Sequence, residues 1–339
     1  MAVSQSDSFG SPRFLTRRRE CGSGGKDISV RVAIVGQQDF GKAVFEAFLA
    51  RGTEVAGVFC APEKPGARAD ALRRVAEERG VRVHQFASLR SDEARSALKA
   101  LDADIGIMAF VLQFAPQDFV GIPRHGTIQY HPSLLPKYRG PSSINWPIIH
   151  GDTETGLTIF RPTDGLDEGP VVLQKGTSIG PDDTLGSVYF DRLFPMGVQA
   201  MLEAADLVVG EKHRESLQDE SLATYEGWCR RGEARIGWAN HVDIVYNLIR
   251  GCNPAPGAWT TLDGSELQIF DARKIPVRTF RAVRGKIGEV VEVTGASFQV
   301  TAQGGRIEVL RAKLGDGKKS DAADLIASGA IRSGQILGA

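Results

Sequence analysis

From residue 30 onward, short apolar runs alternate with stretches whose apolar positions recur every three or four residues. Residues 30–35 read as a buried strand, 41–51 as a helix and 54–60 as a second strand. The helix predicted over 69–79 places Leu72, Val75 and Ala76 on one face, and extended segments follow at 81–85 and 105–110. Strand and helix in repeated alternation require right-handed crossovers, so this part of the chain is predicted to be α/β, a doubly wound, mainly parallel sheet. Such sheets carry their chemistry outside the carboxyl ends of the strands. The loops after Phe110, around His131 and around Asp167 are all expected there.

The texture changes near Trp238. Residues 241–250 form one predicted amphipathic helix with Val242, Val245, Leu248 and Ile249 inward. Short extended segments at 267–270, 288–293, 298–302 and 306–310 follow, separated by Gly-rich turns, as in a small β-barrel. The expected organisation is a disordered leader over 1–29, a catalytic domain over 30–228, a linker over 229–235 and a barrel domain over 236–339. At 339 residues there is ample chain for two cores. The leader is rich in Ser, Gly and Arg and lacks periodic apolar positions. Its Arg-rich, acid-poor character is shared with organelle transit peptides, yet a solvated tail accounts for it, and no apolar stretch supports secretion.

Charge narrows the partners. The chain holds 41 basic and 41 acidic residues, so no global field draws it to nucleic acid or anionic lipid, and a small-molecule partner is expected. Arg273, Lys274, Arg278, Arg281, Arg284 and Lys286 form a local basic run, but Glu289 and Glu292 follow closely and a solvated face is the reading. Cys21, Cys60, Cys229 and Cys252 show no paired spacing, which speaks against a disulfide framework or a zinc site and fits a reducing cytoplasmic compartment. No apolar run is long enough to cross a bilayer, so no membrane partner is expected.

Several motifs nearly form. Residues 36–42 match a phosphate-cradling loop up to Lys42, but Ala43 stands where a hydroxyl must hold magnesium, and Asp39 places a negative charge in the anion nest. No Gly-x-Gly-x-x-Gly follows the first strand, so no nucleotide is implied. Residues 140–144 resemble a nucleophile elbow without its closing glycine. His84, His125, His150, His213 and His241 lack metal-ligand spacing, and no metal is expected.

The remaining signal is chemical. Gln129-Tyr130-His131-Pro132-Ser133-Leu134-Leu135-Pro136-Lys137-Tyr138-Arg139-Gly140 sets a histidine between an apolar strand and a proline-bounded loop. Asp167 lies further on, inside Asp164-Gly165-Leu166-Asp167-Glu168-Gly169-Pro170. A histidine exchanges protons near neutral pH, and a carboxylate on a second loop can orient and charge-stabilise it. These are the parts that an acyl transfer needs: proton traffic at the nucleophile and at the departing nitrogen.

These two motifs, with Gly151-Asp152 between them, resemble the folate-dependent formyltransferase and hydrolase family. Within it, Ile144-Asn145-Trp146, Leu193-Phe194-Pro195, Thr224-Tyr225-Glu226-Gly227 and Pro256-Gly257-Ala258-Trp259 are similar to the amino-terminal hydrolase domain of 10-formyltetrahydrofolate dehydrogenase. The resemblance implies a Rossmann-like catalytic domain without nucleotide and an OB-like open barrel. It implies 10-formyltetrahydrofolate as formyl donor, with His131 and Asp167 catalytic. It also implies that Phe110, Val111, Leu112, Gln113, Phe114, Ala115 and Pro116 read the pterin ring, with Thr163 and Asp164 on the opposing loop. Transferases of the family carry Asn, and the dehydrogenase domain an aliphatic residue, two positions before the histidine. Here Gln129 keeps a donor on a longer arm, which leaves hydrolase and transferase both open.

Three readings compete. The first hydrolyses 10-formyltetrahydrofolate to tetrahydrofolate and formate, or passes the formyl group to a small amine. The second is methionyl-tRNA formylation, placed second because residues 61–68 are short, carry little excess charge and offer no basic insertion for a tRNA. The third is a non-catalytic folate- or nucleic-acid-binding module, which has no use for a paired histidine and aspartate.

Overall fold

The computed structural model describes residues 30–277 and 285–338. The expected leader over 1–29 and the basic positions Arg278, Arg281 and Arg284 lie outside them. The chain runs β1 (Arg31–Gly36), α1 (Gln38–Ala50), β2 (Glu54–Cys60), α2 (Ala71–Glu78), β3 (Val83–Gln85), α3 (Asp92–Ala100), β4 (Ile105–Ala109), α4 (Gln117–Val120) and β5 (Thr127–His131). Then come α5 (Asn145–His150), β6 (Glu154–Phe160), β7 (Val171–Ser178), α6 (Leu185–Val188) and α7 (Phe194–Val209). The sheet order is β3-β2-β1-β4-β5-β6-β7. Strands β1 to β5 pair in parallel, as expected, whereas β6 and β7 are added antiparallel.

Strands β1 and β4 are buried on both faces, which is why they read as unbroken apolar runs. On one face Phe40, Val44, Phe45 and Phe48 of α1 pack with Leu72 of α2 and with Ala200, Met201 and Ala204 of α7. On the other, Ala94 and Leu98 of α3 and Phe119 of α4 cover Ala33, Val35 and Met108. The predicted helix over 69–79 starts later, at Ala71, because the Asp70 carboxylate accepts the Leu72 amide and caps it. The same carboxylate accepts the Gln38 amide at the start of α1, so a side chain of the protein holds the position where the near-miss phosphate loop would have met an anion.

The second half contains α8 (Val242–Gly251), β8 (Ala258–Leu262), β9 (Ser265–Pro276), β10 (Val290–Val293), β11 (Phe298–Ala302), β12 (Gly305–Leu314), β13 (Ser320–Asp321) and α9 (Ala322–Ala327). Its antiparallel sheet is ordered β10-β11-β12-β9-β8. Residues 334–338 bridge the open seam: the Val290 and Leu337 amides tie this tail to the β10 side, and the Gly338 amide donates to Thr261 in β8 at 2.9 Å. The segments predicted at 267–270 and 306–310 are parts of the longer strands β9 and β12. Val242, Val245 and Ile249 of α8 are fully buried, as the periodicity implies, and Leu248 packs at their margin. Helix α8 meets α5, where the Asn145 amide donates to Gly251 at 2.9 Å and joins the two halves.

Cysteine spacing proves uninformative about space: Cys229 and Cys252, apart in sequence, are free thiols with sulfurs 3.8 Å apart in the second core. Arg273 and Lys274 of the basic run pair with Glu308 and Asp243, in keeping with a solvated face at those positions.

Glu63, in the loop after β2, accepts from the Asp70 amide, Gln85 and Arg73 at 2.9–3.0 Å. Partial burial raises its carboxyl, but these donors outweigh it and hold the group down at about 2, against 4.5 for a free glutamate. A depressed folded-state value means that this stability is complete above the unfolded value of 4.5 and is lost as pH falls toward about 2. Urea midpoints measured from pH 5 down to 2.5 are expected to fall less steeply in Glu63→Gln than in the parent; identical slopes would contradict the assignment.

Candidate active site

His131 ends β5, and β-strand alternation places Gln129 on the same face, with Tyr130 turned to the opposite core. Tyr130 stacks on Phe40 with ring centroids 4.3 Å apart, which fixes the strand end. Beyond His131 the chain turns back so that the Tyr138 carbonyl lies 2.8 Å from His131 Nε2. A carbonyl only accepts, so Nε2 carries the hydrogen and Nδ1 is the nitrogen left to face the site. The Tyr138 hydroxyl donates to Asp152 at 2.7 Å, which anchors the ring and so the carbonyl behind it. Burial, together with Asp152, pushes the Tyr138 hydroxyl well above its ordinary range and keeps it protonated.

Asp167 meets His131 there. Its Oδ2 stands 3.5 Å from Nδ1 and accepts the Gly140 amide at 2.8 Å, and both side chains are buried. The approach is not the one expected. Strand β6 runs antiparallel, so its carboxyl end points away from the edge where His131 sits, and Asp167 returns to that edge on the connection from β6 to β7. Gly169 permits the return: a side chain there would meet the Arg161 carbonyl at 1.7 Å.

Phe110, Tyr138 and Asp167 all adopt left-handed backbone conformations, with φ of 61°, 58° and 54°. Each costs about 1–3 kcal/mol for a side-chain-bearing residue and persists only where the surroundings over-determine it. For Tyr138 and Asp167 the surroundings are residues 216–226. The Arg139 amide donates to the Thr224 carbonyl, the Glu226 amide to the Arg139 carbonyl, and the Tyr138 amide to the Thr224 hydroxyl. The fully buried Arg139 guanidinium donates to Gln218 at 2.8 Å and to Glu220 at 2.6 Å, and Glu220 holds its proton more firmly than in free arginine. Arg139, Gln218, Glu220, Thr224 and Tyr225 were given no role from sequence, although the Thr224-Tyr225-Glu226-Gly227 stretch marks their segment.

The remaining site residues lie at the end of the neighbouring strand β4 and on the β6–β7 connection. Among the described residues, the backbone of 110–115 makes no hydrogen bond, and Gln113 turns its amide back to the Phe86 and Ala87 carbonyls. Leu112 and Phe114 are 58% and 44% exposed, Phe110 and Val111 are half-buried, Ala115 is buried and Pro116 precedes α4. Across from them, the Thr163 hydroxyl is buried and has no partner among the described residues, and Asp164 accepts the Gln117 amide at 3.2 Å, joining the two loops. Unpaired amides and carbonyls beside exposed apolar side chains suit a flat ring with donors and acceptors on its edge. Gln129 is half-buried, and among the described residues its side-chain amide has no hydrogen-bond partner. The elbow-like Ser142 is committed elsewhere, its hydroxyl accepting the Cys229 amide at 3.1 Å.

Residues 29–205 match the family described as Formyl transferase, and residues 230–329 match its C-terminal domain. The chain belongs to the formyl transferase family. It is 41% identical over 248 residues to the cytosolic 10-formyltetrahydrofolate dehydrogenase of Mus musculus, which covers 72% of this chain but only 27% of that relative. It is 34% identical over 313 residues to the methionyl-tRNA formyltransferase of Geobacter metallireducens, covering 91% of this chain and 98% of the relative. The fold is shared with HypX from Aquifex aeolicus, solved in complex with tetrahydrofolic acid, at a TM-score of 0.61 and 17% identity over 88% of this chain and 47% of that one. As in that family, a mainly parallel α/β sheet precedes an antiparallel one.

Lysine cannot reproduce the bonds of Arg139 to Gln218 and Glu220, because an ammonium lacks the planar fork. Arg139→Lys is expected to cost about 2 kcal/mol in urea unfolding; a change under about 0.5 kcal/mol, the ordinary range for a surface site, would contradict the clamp described.

Proposed function

We propose that this formyl transferase family enzyme takes 10-formyltetrahydrofolate as donor and delivers the formyl group to water, giving tetrahydrofolate and formate, or to a small amine. The observation that carries this reading is the meeting of His131 Nδ1 and Asp167 Oδ2 at 3.5 Å, with the opposite nitrogen of the ring already tied to Tyr138. The nucleophile attacks the formyl carbon while His131 Nδ1 accepts its proton and the Asp167 carboxylate stabilises the imidazolium that forms. The tetrahedral oxyanion receives the Gln129 side-chain N–H. Collapse breaks the bond to the folate nitrogen, and the proton on His131 Nδ1 passes to that nitrogen as it departs. The backbone of 110–115 holds the pterin edge and Thr163 offers its unpaired hydroxyl from the opposing loop. No metal or nucleotide enters the scheme.

Methionyl-tRNA formylation is kept as a second reading on one observation, the near-complete mutual coverage with the Geobacter metallireducens enzyme. It stands second because the short 61–68 segment and balanced charge offer little to a tRNA backbone. A cytoplasmic setting belongs to the same proposal; it is supported by the free thiols of Cys60, Cys229 and Cys252, and curated relatives are named as cytosolic and mitochondrial.

Formate release from 10-formyltetrahydrofolate without acceptor is expected, and is expected to fall by about 10²- to 10⁴-fold in His131→Ala and in Asp167→Asn. Silence until a small amine is added moves the reading to a transferase, and silence until methionyl-tRNA is added selects the second reading. Folate binding without turnover under all three conditions contradicts both and leaves a binding module.

A further inference from the structure

We propose that Gln218 is a positioning residue for Asp167, a role that rests on the function proposed above. Its carboxamide uses its full capacity of two donors and two acceptor positions. Nε2 donates to the carbonyls of Asp167 at 2.8 Å and Gly169 at 2.7 Å, and Oε1 accepts from Arg139 Nε at 3.1 Å and Nη2 at 2.8 Å. Only one orientation of the amide satisfies this set, since guanidinium nitrogens only donate and carbonyls only accept.

The bonds close a ring around the catalytic carboxylate. The Asp167 carbonyl is held by Gln218, Gln218 by Arg139, and Arg139 is joined through the chain to Gly140, whose amide holds Asp167 Oδ2. Both ends of Asp167, its main-chain oxygen and its reactive carboxylate, are thereby referred to one rigid guanidinium. This constraint supports a residue at φ 54° whose carboxylate is committed to Gly140 and His131. Gln218 is not a core residue. Leu217 beside it is 87% exposed and Asp219 is exposed, so replacing the carboxamide removes little apolar contact. Its loss is therefore felt as freedom of the Asp167 loop rather than as loss of fold.

The test compares the wild-type chain with Gln218→Met, which removes all four bonds, and Gln218→Glu, which keeps the pairing to Arg139 and removes only the donors to the loop. In formyl removal from 10-formyltetrahydrofolate, kcat is expected to fall by about 10- to 100-fold in both, with KM changed by less than about threefold, the signature of a displaced reacting group. Placed in an Asp167→Asn background, the same substitutions are expected to change the residual kcat by less than about threefold, because the group they position is already gone. The proposal is overturned if kcat survives in both variants. It is equally overturned if the loss repeats undiminished beside Asp167→Asn, or if both variants lose the folded transition in thermal unfolding. A wild-type chain inert toward 10-formyltetrahydrofolate with every acceptor sinks the functional reading itself, a result distinct from active wild type with unaffected variants.

Discussion

One carboxylate oxygen carries the architecture of the site. Asp167 Oδ2 touches the imidazole of His131, which ends β5, and the amide of Gly140 in the loop that follows it. The contact joins the connection within the antiparallel β6–β7 hairpin to the end of a parallel strand. Everything that fixes it lies elsewhere in the chain: the stacked Tyr130 and Phe40 behind the strand, the Tyr138 carbonyl behind the ring, and the 216–226 segment laid across both loops. A buried charge next to a proton-exchanging ring is costly without such fixing, and the hydrogen bonds to it are strong for the same reason.

Strain and unsatisfied backbone concentrate in the same place. Phe110, Tyr138 and Asp167 adopt left-handed conformations at this sheet edge, and the strand end at 110–115 leaves its peptide groups without protein partners among the described residues. Regular structure would have paired those groups. A fold that leaves them open, beside an orphaned Thr163 hydroxyl, has an edge suited to a polar heterocycle that completes the pairing. On the proposed reading, catalysis and recognition draw on one device, a rigid sheet edge from which irregular loops project.

Much of this was legible in the residues. The strands at 54–60 and 298–302 emerge with the bounds that periodicity gave them, since an apolar run framed by turn residues has few alternatives. The histidine and aspartate were visible because their chemistry is rare in that sequence context. Other parts were hidden for physical reasons. Helix α7 is apolar on several sides, so its period is blurred, and the Asp164-Gly165 and Gly169-Pro170 turns between β6 and β7 mark a loop without fixing the direction in which the flanking strands join the sheet. The role of Gln218 could not be read at all: a lone glutamine between exposed neighbours acquires meaning only when two distant carbonyls and a guanidinium converge on it. Nor could the proximity of Cys229 and Cys252 be foreseen, since the turn of α8 and the crossing segment bring them together.

On the proposed reading, the imidazole of His131 and the carboxylate of Asp167 close on one formyl group. A crystal structure of the protein bound to a stable analogue of 10-formyltetrahydrofolate tests it most directly. The formyl-bearing nitrogen is expected within about 3 Å of His131 Nδ1, with the pterin edge hydrogen-bonded to the backbone of 110–115. An analogue seated away from both, or with its formyl group turned from Asp167, would contradict it.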